Sequence, residues 1–319
     1  MATGFVYDPR YHDHDTGRGH PERPKRLSAI VQRLKDDGLW DRVRHLGPIE
    51  PAEQRWIETV HDRSYIARLK AVCQSGRPFI DAMDSAVCKA SYDVALLAVG
   101  GVLLAVDAVM AGEVRNAFCA VRPPGHHCER DRSMGFCLLN NVAIAAEYLI
   151  QQHGLQRVAI VDTDVHHGNG TQHAFEDRAD VLYVSVHEDP AYLFPGTGFA
   201  EETGVGAGDG FTLNIPLAPY ADDGAYQSAF EQRVLPAIDR FEPQFVLVSV
   251  GYDMGEHDLL SHQQMTLAGL GWMTRRLKAA AERHCGGRLV SVLEGGYDLQ
   301  TLGMGVAQDV AVMLEEQRS

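Results

Sequence analysis

The chain has 319 residues, 45% hydrophobic and 23% charged, with 43 acidic against 29 basic side chains and a formal net charge of −14. This is the composition of an ordinary globular chain able to bury a large core. The acidic balance disfavours a nucleic-acid partner, which needs a basic footprint, and would attract a cationic substrate or simply keep the protein soluble. Six cysteines, at 73, 88, 119, 128, 137 and 285, include no C-x-x-C, so reduced thiols are expected rather than a zinc ribbon or a disulfide framework.

In chain order, the opening "MATGFVYDPRYHDHD" lacks a basic segment followed by an apolar one, which predicts no secretory signal and a cytoplasmic location. Residues 11–26, "YHDHDTGRGHPERPKR", read as a loop. Its His12, His14 and His20 could suggest another metal site, but a solvated rim is the reading adopted. The apolar run from Val94 to Val106 is shorter than the roughly 20 residues a bilayer span needs, so it predicts a buried helix and no membrane. Five short apolar runs read as buried strands, each ending in a polar cluster. They are "NAFCAV" before "RPPGHH", "RVAIV" before "DTDVHHGN", "VLYVSV" before "HED", "FVLVSV" before "GYD" and "RLVSVL" before "EGGYD". Residues 136–154 and 264–287 read as helices closed by Gly154 and Gly286. The glycine-rich 195–210 reads as a loop. Strands alternating with helices predict a parallel sheet, and ligands bind outside the carboxyl ends of such strands. With no internal repeat or linker, residues 1–319 are expected to form one domain.

Within "VDTDVHHGNG" (161–170), Asp162, Asp164 and His166 are spaced two apart and would share one face of an extended backbone. Asp-x-His offers a carboxylate and an imidazole to one ion, although such a pair can equally cap a helix or bond to itself. Asp253 in "SVGYD" brings a third ligand. Two Asp and one His leave an open position, as in a catalytic metal site, and suit Zn²⁺ without excluding Fe²⁺. The tandem His126 and His127 are acid/base candidates. In "LEGGYD", the glycine pair would let Tyr297 swing out, where a phenol can donate to an oxyanion. Alone, each of these two clusters is more often structural.

Taken together, "RPPGHH…GFCLLNNVAIAA", "VDTDVHHGNGTQHAF", "FPGTG", "VLVSVGYD" and "LEGGYD" closely resemble the zinc-dependent histone deacetylase superfamily, in its class II branch and bacterial relatives, which include acetylpolyamine amidohydrolases. The resemblance runs from about residue 19 to Tyr297. It implies the arginase/deacetylase fold, one α/β domain around a parallel sheet of eight strands, and hydrolysis of N-acyl amides on acyl-lysine or related acylated amines. Asp164, His166 and Asp253 fall on the zinc ligands. His126 and His127 fall on the tandem active-site histidines, with Asp162 behind the first and Asn169 behind the second; Tyr297 falls on the carbonyl-polarising tyrosine. Gly135, Phe136 and Phe194 would line the acyl-chain channel, Arg26 would lie near an inner cavity, and Asp84 would be the rim aspartate. The resemblance also implies structural potassium. An inner site would use Asp162 and Ser185 with backbone oxygens of Asp164, His166 and Val186, and a second site backbone oxygens of Phe175, Arg178, Val181 and Phe211.

Two rivals compete. An arginase-type ureohydrolase would need further acids for a second metal, and Gly168 and Gly255 stand at those positions. A non-catalytic acyl-amine binder would not need every catalytic position filled. For substrate, Leu260 stands where some polyamine-preferring relatives place a glutamate, which favours an uncharged chain. Leu259, however, replaces a usual proline and could shift that alignment. Acylated lysine and polyamine are both expected partners, and a homo-oligomer is left open.

Overall fold

The computed structural model describes residues 2–315. Eight strands form one parallel sheet: β1 (Thr3–Val6), β2 (Arg44–His45), β3 (Asn116–Cys119), β4 (Val158–Asp162), β5 (Val181–Glu188), β6 (Thr212–Leu217), β7 (Phe245–Val250) and β8 (Leu289–Leu293). Their order is β2-β1-β3-β8-β7-β4-β5-β6. β3, β4, β5, β7 and β8 are buried along their whole length, because helices cover both faces of a parallel sheet.

The five apolar runs of the sequence are these five strands. β1, β2 and β6 carried no such signal. β1 has four residues, β2 is an exposed pair, and β6 contains Asn214 and Pro216, a proline that an edge strand tolerates. Chain order and spatial order part most widely after β3. β4 pairs with β5 and β7, and β7 and β8 fill the space between β3 and β4. The carboxyl ends of β3, β8, β7 and β4 are therefore contiguous, and the polar clusters of four separate stretches meet there.

Three helices differ from their expected bounds. The apolar helix spans Ser91–Met110, 20 residues, which by length and composition is enough to cross a membrane; 67% of its most apolar window is buried in the fold. It runs past Asp107, with Ala108 and Val109 buried beyond it, and that carboxylate accepts bonds from the Tyr148 hydroxyl (3.1 Å) and His153 (2.8 Å). The helix expected from residue 136 begins at Asn141, capped by the Asn140 side chain. Residues 136–139 instead form part of the loop that reaches the site, where Phe136 has φ 67°. Helix Leu267–Cys285 ends at Gly286 in the left-handed region, as expected, but starts three residues later than expected, capped by the Thr266 side chain.

Candidate active site

β4 ends at Asp162, and the extended alternation expected beyond it does not continue. The Asp164 N–H donates to Asp162 Oδ1 (3.1 Å) and the His166 N–H to Asp164 Oδ1 (2.9 Å), so each carboxylate curls the chain over the next two residues. Asp162 consequently does not join Asp164 and His166 as a third ligand. Its other oxygen, Oδ2, accepts from His126 Nδ1 at 3.0 Å.

Beyond β7, Asp253 meets Asp164 and His166, all three buried, with one ligand atom of each lying within 4.8 Å of the others. His166 Nδ1 stands 3.1 Å from Asp164 Oδ1 and 3.3 Å from Asp253 Oδ2. The Asp253 Oδ2 atom is buried and receives no hydrogen bond. Burial and the charge of Asp164 push the Asp253 carboxyl up to about 6. Burial opposes a charge on His166, but Asp164 and Asp253 outweigh it and raise the imidazole to about 10. Two buried carboxylates around one imidazole demand a cation, and without a metal protons fill that role. The donor set fits a divalent ion with mixed N/O preference. Gly295 packs directly beneath: its N–H donates to Asp164 Oδ2 at 2.8 Å, and a Cβ there would lie 2.0 Å from Asp253 Oδ2. Position 168 leaves no room for a second-metal acid, because a Cβ would sit 2.2 Å from Asp162 Oδ2.

A second grouping, His126, Cys137 and Glu294, fits a cation poorly. The Glu294 oxygens already accept from Gly125 N (2.6 Å), His126 N (3.2 Å) and Ser249 Oγ (3.1 Å). Glu294 thus fixes the backbone that carries the histidine pair.

The His126 and His127 rings lie 3.9 Å apart, and their surroundings separate them. For His126, burial is overcome by Asp162 and Asp164, and its pKa rises to about 10. Burial and the neighbouring His126 and His166 hold His127 well below the usual imidazole range. His127 Nδ1 donates to Asn169 Oδ1 at 2.8 Å. His167 turns away, with Nδ1 2.9 Å from Thr197 Oγ1 and Nε2 2.8 Å from Gln172 Oε1.

A cleft of about 220 Å³ opens over this floor, lined by Asp84, His127, Gly135, Phe136, His166, Leu193, Phe194, Leu260 and Tyr297. Leu260 faces it, while Leu259 is 83% exposed, so the loop keeps the register in which Leu260 lines the cleft. Asp84 Oδ2 accepts from Gly135 N at 3.1 Å. Arg26 is fully buried beneath the cleft, bonded to Gly296 O (2.7 Å) and Glu294 O (2.6 Å), with its guanidinium 5.0 Å from the Tyr297 ring centroid. Burial raises the Tyr297 phenol well above its usual value. Asp258 escaped the sequence reading. Its Oδ2 accepts the N–H groups of Tyr297 (2.6 Å) and Asp298 (3.0 Å), which clamps the tyrosine to the loop bearing Leu260.

Ser185 pairs in register with Asp162, and its hydroxyl is 2.8 Å from His187 Nδ1; Val186 is buried in the same strand. The Phe175 and Phe211 carbonyls already accept from Arg178 N and Tyr183 N, both at 2.9 Å, and Val181 opens β5. Phe211 also lines a separate cleft of about 620 Å³ with Arg157 and Phe241.

The sequence model for the histone deacetylase domain matches residues 20–313. A probable deacetylase of Archaeoglobus fulgidus is 40% identical over 302 residues, covering 94% of this chain and 82% of that protein. A histone deacetylase-like amidohydrolase of Pseudomonas aeruginosa is 42% identical over 279 residues, 88% of this chain and 73% of that one. The human protein named polyamine deacetylase HDAC10 is 38% identical over 302 residues, 92% of this chain but 44% of its own length. Among solved structures, the HDA15 HD domain superposes with a TM-score of 0.93 at 34% identity, over 98% of this chain and 90% of that one. Sequence match, fold and the convergence of side chains at one sheet edge agree: the chain belongs to the histone deacetylase family.

Proposed function

We propose that the protein is a zinc-dependent deacetylase that hydrolyses the N-acyl amide of an acylated lysine, or of a similar amine on an uncharged methylene chain. The observation that carries this is the Asp164–His166–Asp253 trio at the floor of a narrow, mostly apolar cleft, with His127 and Tyr297 in its walls.

Asp164, His166 and Asp253 would hold the ion, Zn²⁺ or Fe²⁺, which when bound supplies Lewis-acid polarisation of the amide carbonyl and acidification of water. The chain's own groups do the rest. His127, kept neutral, takes the proton of the attacking water on Nε2 and returns it to the leaving amine. His126, held by Asp162, keeps positive charge beside the developing oxyanion. Tyr297 stays protonated because burial raises its phenol, and it donates to that oxyanion. Phe136, Phe194, Leu260 and Gly135 enclose the methylene chain and exclude water, and Asp84 sits at the rim to accept from a substrate backbone N–H. The potassium sites belong to the same proposal: Asp162 and Ser185 with the Asp164, His166 and Val186 carbonyls, and the Phe175, Arg178, Val181 and Phe211 carbonyls.

Leu260 places no charge in the cleft wall, which favours acyl-lysine over a polyamine bearing a second cation. The test is a side-by-side measurement of kcat/KM on acetyl-lysine peptides, longer acyl-lysines, acetylputrescine and acetylspermidine. The expected order has an acyl-lysine peptide ahead by about tenfold or more, the scale of one mismatched contact. Preference for acetylspermidine would reverse the substrate assignment. Product binding without turnover would reduce the protein to an acyl-amine binder.

A further inference from the structure

His127 is held from behind by Asn169, whose amide is uncharged and presents either an acceptor or a donor depending on which way round it lies. What lies behind Asn169 removes that choice. Its Nδ2 is 2.5 Å from Glu129 Oε1 and 3.2 Å from the His127 carbonyl oxygen. Glu129 is buried, 7% exposed. Burial opposes its ionisation, but its bonds to His173 and Asn169 outweigh that and keep the carboxyl below its usual range. His173 Nδ1, from a half-exposed side chain, stands 2.9 Å from both Glu129 oxygens and fixes the carboxylate from its outer side. A carboxylate and a carbonyl only accept, so both amide hydrogens of Asn169 are committed to them. Oδ1 is then the atom offered to His127 Nδ1, at 2.8 Å. An acceptor there requires the hydrogen on Nδ1, and the lone pair of the neutral ring stands on Nε2.

We propose that Glu129 is a positioning residue that sets the tautomer of His127 through the Asn169 amide, so that Nε2 serves as the base. The role rests on the deacetylase reading of the site. It also follows why an asparagine suffices behind this histidine while Asp162, a carboxylate, stands behind His126. The negative charge on the His127 side is one hydrogen bond further out, where it orients the ring without drawing a second proton onto it.

The test uses the zinc-loaded protein and two variants. Glu129→Gln puts an amide behind Asn169 that can donate or accept, so the Asn169 amide is free to turn. Expected are a kcat lower by about tenfold or more, part of the roughly 10²–10⁴-fold a general base contributes because some molecules keep the active tautomer, with KM within about twofold. In histidine ¹⁵N spectra, the His127 signals, identified by their loss in His127→Ala, should divide between two tautomers. The exchange Glu129→Gln with Asn169→Asp places the carboxylate directly behind His127 and the amide behind it, with net charge unchanged. Measured above the pH at which the adjacent carboxylate now protonates the ring, that variant should return to one tautomer and regain about fivefold or more in kcat, as expected for coupled neighbours. A Glu129→Gln protein with parental kcat and one tautomer would overturn the proposal, as would an exchange variant of parental Tm that regains neither. Absence of turnover in the parent protein would instead defeat the deacetylase reading, and the tautomer spectra would still decide the role of Glu129.

Discussion

At the residue scale, Tyr297 separates the chemistry of the site from the proposed metal. It is not one of the three grouped ligand residues Asp164, His166 and Asp253, and Asp258 positions its backbone. Tyr297→Phe is therefore expected to lower kcat by roughly 10²-fold, the worth of one oxyanion donor, while elemental analysis still finds one zinc per chain. Full activity would remove Tyr297 from the mechanism. The residues legible in the sequence are those whose type states their chemistry: Asp164, His166, Asp253, the histidine pair and the tyrosine after two glycines. Asp258, Glu129 and Glu294 were not legible. Each works by accepting hydrogen bonds, from backbone N–H groups or from another side chain's amide, and an acid in that role has no spacing to distinguish it from any other acid.

At the scale of elements, the five strands with continuous apolar runs were readable, and the three lacking such runs were not. Helix starts were less readable, because they depend on what a cap residue meets. Asn140 caps Asn141–Gln151 through its side chain, and its own N–H donates to His61 Nε2 at 2.9 Å. His61 Nδ1 in turn donates to the Glu129 carbonyl at 2.9 Å, so the ring ties the helix start to the loop after His127. Protonated Nε2 would face that N–H directly, and burial lowers His61 to about 4. A histidine depressed in the folded state takes up its proton first in the unfolded chain. Its share of stability is thus complete above pH 6.5 and is lost as pH falls toward 4. His61→Gln keeps one donor and one acceptor without titrating. In metal-free protein, its Tm should fall less between pH 7 and pH 5 than the parent's, by about 2 °C or more. Parallel Tm curves would show that His61 does not contribute to acid loss.

At the scale of the whole molecule, the spatial order β3-β8-β7-β4 brings together residues from 126 to 297, and no local pattern reports it. Alternating strands and helices foretold a parallel sheet with ligands at its carboxyl edge. Which strands are neighbours depends on crossovers, and here the family resemblance supplied what periodicity could not. The arrangement makes the proposed cation a tie between the ends of β4 and β7, so its removal should be felt by the whole fold. In the metal-free protein, His166 is raised to about 10 and Asp253 to about 6. Groups raised in the folded state stabilise it fully below their unfolded pKa values and lose that contribution as pH rises through the folded ones. The metal-free protein should thus weaken from about pH 4 upward on account of Asp253 and from about pH 6.5 on account of His166. The loaded protein holds both groups unprotonated throughout and is spared that loss. The Tm gap between zinc-loaded and chelated protein should therefore widen from pH 6 to pH 8, reaching about 5 °C at a free zinc concentration near 100 times Kd. Asp253→Asn, with one ligand charge gone, should show much less of this gap. Equal Tm values with and without chelator at pH 8 would mean that the trio holds no cation tightly enough to matter to the fold.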